Sequence, residues 1–208
     1  MSDFARYGLA LHTSSPELGL AIGNLVGADR SQTWNLGLAL STHLHLHLQQ
    51  FLMPQSWQDL AFVAVAKGPG SFTGTRIGMV AARTLAQQLD LPLFAVSSLA
   101  AIAWPHLNAT QDIAVQMPAS RGEVFVAIYT TKPDRRELVA LLPDTVLPLS
   151  EWEQQQQHWH RPLRLILAPE KLGETVTSLL AIAQSQWQQG ERPDWSIALP
   201  FYGQHPIE

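Results

Sequence analysis

The sequence predicts an α/β protein with two related lobes, each a mixed sheet with helices. An apolar run at Leu60–Ala66, a glycine-rich stretch, an alanine-rich helical segment and a second apolar run at Leu93–Val96 follow one another. This order is a βαβ unit, which implies parallel pairing. Leu9–Ile22 and Ala114–Ile128 share one pattern of apolar strand, short polar turn and apolar strand. That weak internal similarity predicts a repeated lobe.

The composition allows a sizeable core. Of the 208 residues, 46% are hydrophobic and only 14% are charged, which excludes disorder for most of the chain. The formal net charge of −4 gives no overall positive field that would attract nucleic acid or an anionic membrane. The absence of cysteine excludes disulfides, thiolate metal ligands and a cysteine nucleophile.

Segments that would direct the chain to a membrane are not evident in the sequence. Met1–Tyr7 carries Asp3 and no apolar stretch ahead of a cleavage site. No apolar run reaches the ~18 residues of a membrane helix. We therefore expect a cytoplasmic protein without a membrane partner.

Five strands and three helices are expected in the first lobe, residues 1–107. The apolar residues of Leu36–Leu52 fit helical spacing, whereas His43–Leu48 alternates as a strand would, and the length of the segment favours a helix. Ser97 or Ser98 is expected to cap a helix that runs through Trp104. The other elements are a helix at Thr75–Leu89 and strands at Leu9–His12, Leu18–Ile22, Asp29–Trp34, Leu60–Ala66 and Leu93–Val96.

A smaller second lobe is expected over residues 108–190. Its helix is predicted at Leu172–Gln189. The proline-containing stretch 191–208 reads as an extended tail that rejoins the first lobe. The predicted strands of the second lobe are Ile113–Met117, Val124–Thr130, Glu137–Leu142 and Leu163–Leu167.

The most distinctive feature is the string GPGSFTGTRIG, which runs from Gly68 to Gly78 between a buried strand and a helix. Such a turn presents backbone N–H groups at a helix N-terminus, where an anion can bind. It is not a P-loop, because no Gly-Lys-Ser/Thr follows, and its glycine spacing is one residue too long for a Rossmann fingerprint. Two interpretations stay open: an anion cradle, or glycines that let the helix pack tightly on the sheet.

Lys67–Gly78 followed by Ala82–Ala100 resembles the signature of the TsaB (YeaZ) family. That family belongs to the actin-like, sugar-kinase-like superfamily, so the resemblance implies actin-like (ASKHA, ribonuclease H-like) lobes. It covers residues 8–130 well, and beyond them it rests on length and pattern. Further matching segments are Leu9–Ser15, Gly122–Phe125 and Pro200–Tyr202.

The resemblance implies a role in making N6-threonylcarbamoyladenosine on tRNA, beside the anticodon. In this family TsaB pairs with the catalytic paralogue TsaD, together with the ATPase TsaE, and TsaD transfers the threonylcarbamoyl group. The implied role is a non-catalytic platform that meets tRNA only through the complex. Rival interpretations are an independent nucleotide hydrolase or kinase, an M22-type glycoprotease-like peptidase as in older family names, and a self-associating dimer with no partner.

The residues at the first hairpin of each lobe favour a non-catalytic role. Kinases and ATPases of this fold hold Mg²⁺ around the phosphates with carboxylates in these hairpins. His12 and Pro118 stand where relatives have Asp, and Ser120 stands where they have Arg. A neutral imidazole is a poor ligand for a hard cation. We therefore expect no catalytic residue, no metal site and no required cofactor.

Weak ADP or ATP binding through the loop N–H groups stays open as an alternative. The candidate nucleotide-binding residues are Gly68, Gly70, Ser71, Thr73 and Gly74. A nucleophilic role for the serines has little support, because the Gly-x-Ser-x-Gly elbow and an assigned base are missing. Turn or capping roles are expected instead for Ser14, Ser15 and Ser71.

Histidines and arginines supply two further candidate sites. On a helix, His43 and His47 share a face and His45 points away, so a third metal ligand is lacking and a polar stripe is favoured. Several arginines could contact tRNA phosphates. Because acidic residues outnumber basic ones, a solvated surface is favoured for Arg135, Arg136, Arg161 and Arg164.

Two helices of the first lobe are predicted to form the partner surface. Leu38 and Leu46 lie outside the apolar row of the first helix, and the second helix is apolar almost all round. A helix that covers one sheet face needs only one apolar stripe, so the surplus predicts a second contact, with the TsaD-like partner or with a second copy. The predicted interface residues are Leu38, Leu46, Met79, Ala82 and Ala86.

Overall fold

Two mixed sheets with equivalent strand arrangements form the fold. The computed structural model describes residues 6–25, 30–132 and 137–203. The first sheet has the order β3-β2-β1-β4-β5 and comprises β1 (Tyr7–His12), β2 (Glu17–Asn24), β3 (Arg30–Asn35), β4 (Leu60–Ala66) and β5 (Leu93–Val96). The second has the order β8-β7-β6-β9 and comprises β6 (Asp112–Pro118), β7 (Glu123–Thr131), β8 (Leu138–Pro148) and β9 (Leu163–Leu167).

The strand pairing repeats between the two sheets. β1 and β2 form an antiparallel hairpin, and β1 pairs in parallel with β4. β6 and β7 likewise form an antiparallel hairpin, and β6 pairs in parallel with β9. The order β3-β2-β1-β4 therefore recurs as β8-β7-β6-β9. This repeat confirms the two-lobe α/β fold predicted from the similarity of Leu9–Ile22 and Ala114–Ile128.

Five α-helices of the described chain cover the sheets: α1 (Leu40–Leu52), α2 (Phe72–Leu89), α3 (Ser98–Ala103), α4 (Leu149–Gln157) and α5 (Val176–Gln188). α1 and α2 share one apolar core with the outer face of the first sheet. α3 and α5 lie between the sheets, in a core that contains residues of both. Within the described ranges, every helix is too short or too polar to cross a membrane.

The predicted helices are present, with shifted ends. α2 begins three residues before Thr75, because the Ser71 side chain caps it by accepting a hydrogen bond from the Gly74 N–H (3.2 Å). Ser97 caps α3, as predicted, by accepting from the N–H groups of Leu99 (3.0 Å) and Ala100 (3.2 Å). The strand alternative for residues 43–48 is wrong, since these residues lie within α1. Leucines on one side of that helix pack on the sheet.

The second lobe departs from the expected pattern after residue 137. β8 continues to Pro148, beyond the predicted end at Leu142, and α4 follows it. Trp152 is the one fully buried side chain of this glutamine-rich helix. Its Nε1–H donates to the Gln116 side chain on β6 (2.8 Å). A single buried anchor gives no helical period, so the sequence pattern did not indicate α4.

The helices between the sheets join the two lobes closely. α5, assigned by sequence to the second lobe, packs on β1, β2 and β4 of the first sheet. α3, assigned to the first lobe, packs on β6 and β7. The chain passes from one sheet to the other between Val96 and Asp112, on either side of the proposed boundary at residues 107 and 108. The boundary as a division between folding units stays a prediction.

The tail runs along the flank of α2. The Leu93 N–H donates to the Pro193 carbonyl (3.1 Å), which places the start of the tail at the beginning of β5. The Arg83 guanidinium lies over the Trp195 ring, 5.9 Å from its centroid. Ala198 is 4% exposed and belongs to the same apolar core as α1 and α2. The tail therefore completes the core of the first lobe.

The last described residues of the tail pass the glycine-rich loop. The Phe201 N–H donates to the carbonyl of Lys67 (2.6 Å). The Tyr202 ring packs on that of Phe72, the first residue of α2, with centroids 4.6 Å apart. Phe201 also contacts Phe125 of the second lobe, with ring centroids 6.5 Å apart. The tail thus extends along the length of α2 and touches both lobes.

Ala198→Glu is expected to lower the free energy of unfolding by about 2 kcal/mol or more, because it places an unpaired carboxylate in an apolar core. Ile197→Glu is the control, since Ile197 is 69% exposed, and it is expected to change stability by less than about 0.5 kcal/mol. Denaturant unfolding followed by circular dichroism measures both. Equal effects of the two variants would contradict the packing of the tail on α2.

Candidate functional site

The glycine-rich loop and α2 lie directly on the turn between β1 and β2. A Cβ atom added at Gly70 would collide with the Ser14 carbonyl oxygen. One added at Gly74 would collide with the Thr13 carbonyl oxygen, and one at Gly78 with the Thr13 side chain. Three glycines spaced four residues apart thus form one face that the turn occupies. This geometry favours close packing as the reason for the glycines.

Polar contacts complete this packing. The Ser71 N–H donates to the Ser14 carbonyl (2.7 Å), and the Thr75 hydroxyl donates to the Ser14 hydroxyl (3.0 Å). The Gly74 N–H is bonded to the Ser71 side chain. Two N–H groups of the predicted anion cradle are therefore already used inside the protein. Nucleotide binding at this loop stays a prediction.

The five candidate nucleotide-binding residues do not share one exposed surface. Gly68 and Gly74 are buried, whereas Gly70, Ser71 and Thr73 are exposed. A cleft of about 230 Å³ lies beside Gly70 and Ser71, between the two lobes. The second lobe supplies Met117, Pro118 and residues 168–170 and 172 to its wall.

The chemistry of this cleft differs from that of a magnesium–phosphate site. Among the described residues that line it, Glu170 alone carries a carboxylate. Pro118 lies at the end of β6, where the family pattern has Asp. A paired-carboxylate arrangement for Mg²⁺ is therefore not assembled from the residues that line this cleft.

His12 is buried at the end of β1. Burial lowers the pKa of its imidazole to about 3, so the ring is neutral at neutral pH. Its Nδ1 accepts a hydrogen bond from the Ser14 N–H (3.4 Å), which places the ring hydrogen on Nε2. Nε2 has no hydrogen-bond partner among the described residues. His12 therefore supplies neither the negative charge nor the oxygen that Asp would bring here.

The serines act as turn and capping residues, as predicted. Ser15 Oγ accepts hydrogen bonds from the N–H groups of Glu17 (3.3 Å) and Leu172 (3.2 Å). The Glu17 carboxylate accepts from the Gly173 N–H (3.0 Å). These bonds attach the β1–β2 turn to the segment before α5. Because the partners lie 156 residues apart, no local pattern indicates the contact.

Three of the five predicted interface residues are wrong. Met79, Ala82 and Ala86 are buried inside the monomer, because this side of α2 packs on the sheet in a core that the tail completes. Leu38 and Leu46 are exposed at 102% and 48% on the outer side of the first helical segment. Their role in an interface stays a prediction.

The histidines of α1 lie on its outer surface. His43 and His47 share a side, with ring centroids 6.4 Å apart, and His47 packs on the Trp34 ring at 4.6 Å. His45 is exposed elsewhere on the helix. In the part of the chain that the structure describes, no group of three His, Cys, Asp or Glu residues could hold a metal ion.

Of the four arginines for which a solvated surface is favoured over contact with tRNA phosphates, Arg161 and Arg164 lie within the described residues. Arg161 forms an ion pair with the buried Asp112 (3.3 Å), which favours a structural role. Arg164 is exposed on β9. Arg135 and Arg136 lie outside the described residues.

Gly74→Val is expected to lower the free energy of unfolding by about 2 kcal/mol, because its side chain must displace the backbone of Thr13. Thr73→Val introduces the same side chain one position earlier, where the helix is exposed. We expect it to change stability by less than about 0.5 kcal/mol. Thermal and denaturant unfolding provide the comparison, and a Gly74→Val midpoint equal to that of the parent would rule out the tight contact.

The buried His12 predicts a pH dependence of stability. Its pKa is about 3 in the folded protein against an ordinary value of 6.5, so below that ordinary value the unfolded chain takes up a proton that the folded protein does not. Above pH 6.5 the buried, neutral His12 does not lower the free energy of unfolding. As the pH falls from 6.5 toward 3, protonation of this residue in the unfolded chain lowers it progressively. Between pH 7 and pH 5 the loss is about 2 kcal/mol.

His12→Asn keeps an acceptor for the Ser14 N–H and removes the titrating group. Between pH 7 and pH 5 the free energy of unfolding of the parent is expected to fall by about 2 kcal/mol more than that of His12→Asn. Denaturant titrations at the two pH values measure the difference separately from any overall loss of stability. Parallel pH profiles would show that His12 is not held neutral.

Residues 54–141 match the family model described as TsaD, tRNA N6-adenosine threonylcarbamoyltransferase. The matched region contains β4, the glycine-rich loop, α2 and the first strands of the second lobe.

Curated relatives match over part of their length. The chain is 41% identical over 106 residues to the Bacillus subtilis tRNA threonylcarbamoyladenosine biosynthesis protein TsaB, covering 51% of this chain and 45% of that protein. It is 36% identical to the Escherichia coli protein of the same name, covering 53% and 54%. The chain thus spans about half the length of the curated relatives it matches.

Solved structures match over nearly the whole chain. A Pseudomonas aeruginosa protein described as similar to peptidase YeaZ aligns with a TM-score of 0.75, covering 96% of this chain and 100% of that one. YeaZ from Pseudomonas aeruginosa aligns with a TM-score of 0.73, covering 95% and 99%. Both are 24% identical to this chain and show the same fold. The chain is thus similar in sequence to TsaB proteins over about half of its length, and it shares its fold with YeaZ.

Proposed function

We propose that this protein acts in the biosynthesis of N6-threonylcarbamoyladenosine on tRNA, as a non-catalytic partner of a TsaD-like threonylcarbamoyltransferase. The observation that carries the proposal is the 41% identity to Bacillus subtilis TsaB. The protein supports assembly of the complex, which also includes a TsaE-like ATPase. It meets tRNA only through that complex.

The geometry of the first lobe supports a role without chemistry. The loop that could hold phosphates bonds to the protein's own β1–β2 turn. His12 is neutral and buried, and Pro118 offers no ligand for a cation. Serine side chains that could suggest a peptidase are engaged as caps and turn residues.

The outer surface of α1 and α2 is the proposed partner surface. Both helices cover the same face of the first sheet, so their outer sides face away from it together. Leu38 and Leu46 are exposed on the first helical segment, and Phe72 and Val80 are exposed on α2. Apolar side chains left in water favour association. A second copy bound at this surface would compete with the TsaD-like partner.

Depletion of the protein in cells that encode it tests the proposed function. Mass spectrometry of tRNA nucleosides is expected to show loss of threonylcarbamoyladenosine, and re-expression of the chain is expected to restore it. A TsaD-like protein should co-purify with the tagged chain. Unchanged modification after complete depletion would contradict the proposal.

Purified protein is expected to release no phosphate from ATP in the presence of Mg²⁺, because His12 and Pro118 stand where kinases of the fold hold this cation with paired carboxylates. A phosphate-release assay against a protein-free sample measures this. Magnesium-dependent release that survives purification and is lost in Thr73→Ala would favour the rival nucleotide hydrolase.

Leu46→Glu is expected to weaken pairing with the TsaD-like partner at least about tenfold, because it places a charge within an apolar contact. Leu167→Glu makes the same substitution at another exposed leucine, on β9 of the second lobe, and serves as the control. Light scattering after size exclusion measures pairing, and circular dichroism checks folding. A folded Leu46→Glu variant with parental affinity would place the interface elsewhere.

A further inference from the structure

Lys67 lies at the end of β4, between two cavities. One cavity, of about 280 Å³, is lined in part by Lys67, Ser97, Tyr129 and Asp144. The other, of about 390 Å³, is lined in part by Lys67, Gln186, Glu191 and the tail. Lys67 forms no ion pair with any described carboxylate. The Lys67 side chain thus lines two open clefts and forms no direct ion pair there, although its charge acts on Asp144.

Asp144 lines the smaller cavity from β8. Its Oδ1 accepts hydrogen bonds from the hydroxyls of Ser97 (2.8 Å) and Tyr129 (2.9 Å). Its Oδ2 is buried and has no hydrogen-bond partner in the described chain. Buried carboxylate oxygens in folded proteins are nearly always bonded. Oδ2 is therefore an unused acceptor on a residue that lines the cavity. Lys67, which lines the same cavity, forms no ion pair with a described carboxylate.

Burial raises the pKa of Asp144, while hydrogen bonds from Ser97 and Tyr129 and the charge of Lys67 act in the opposite direction. An ammonium group placed at Oδ2 would stabilise the ionised carboxylate further. A lone cation would, however, be repelled by Lys67, and a lone anion would leave Oδ2 without a donor. A ligand that carries both charges would satisfy the two groups together.

We propose that this cavity, which we name the Lys67–Asp144 cavity, binds a small zwitterion of the α-amino acid class. The ligand carboxylate contacts the Lys67 ammonium group, and the ligand ammonium group donates to Asp144 Oδ2. The small side chain of the ligand packs on the apolar wall of the cavity. This wall includes Val96, Ala100, Ile182 and Phe201. A volume of about 280 Å³ lies at the lower end for ligand sites, which fits a small metabolite.

Such a ligand would bridge the two sheets. Lys67 follows β4 of the first sheet, whereas Asp144 and Tyr129 belong to strands of the second. The Lys67 carbonyl is also bonded to the tail through the Phe201 N–H. Binding would therefore stabilise the folded chain, and this effect does not depend on the proposed role in tRNA modification.

Isothermal titration calorimetry with the full chain tests the proposal. The probes are glycine, L-alanine and L-serine, with acetate and methylamine as the two halves of the ligand. We expect saturable binding of at least one amino acid, and binding of each half at least about tenfold weaker. Lys67→Met and Asp144→Asn are each expected to weaken amino acid binding at least about tenfold. Lys171→Met, which alters an exposed lysine, is the control and should bind like the parent.

Three outcomes would overturn the proposal. The first is the absence of saturable binding for all three amino acids at millimolar concentration. The second is parental affinity in Lys67→Met, which decides the matter even if Asp144→Asn fails to fold, since no hydrogen bond of the described chain uses the Lys67 ammonium group. The third is acetate binding as tight as amino acid binding, which would indicate a simple anion site.

Discussion

The backbone of Thr13 and Ser14 lies against the glycine face of α2, and the arrangement of the first lobe depends on this contact. Any side chain at Gly70, Gly74 or Gly78 would separate the helix from the hairpin. The hydrogen bonds of the loop then follow from the same approach. Glycine-rich loops of this kind can bind a phosphate in other proteins, whereas in this protein the loop packs on the turn between β1 and β2. The loop therefore fixes the position of α2, whose outer side forms part of the proposed partner surface.

A second group of contacts holds the lobes to each other. Ser15 and Glu17 bind the segment before α5, and Asp144 on β8 binds Ser97 at the start of α3. α3 and α5 add a shared apolar core between the sheets. These contacts favour a fixed arrangement of the lobes, in which α1 and α2 stay available to the proposed partner.

The strands and the capped helices could be predicted because their signals are local: apolar runs, Ser97 before α3, and glycines after β4. The same is true of the turn and capping roles of the serines. The burial of Met79 could not be predicted from the sequence, because an apolar periodicity does not show which element covers a residue. The Lys67–Asp144 cavity was likewise hidden, since Ser97 and Asp144 meet only in the folded chain.

The position of the tail has a consequence for synthesis of the protein on the ribosome. Residues 193–203 complete the first lobe, yet they are translated after the strands and helices of the second lobe. Until Trp195 and Ala198 emerge, the flank of α2 that they cover stays open to water or to a chaperone. The first lobe is thus finished only after the second lobe has been synthesised, contrary to the usual order in which N-terminal units fold first.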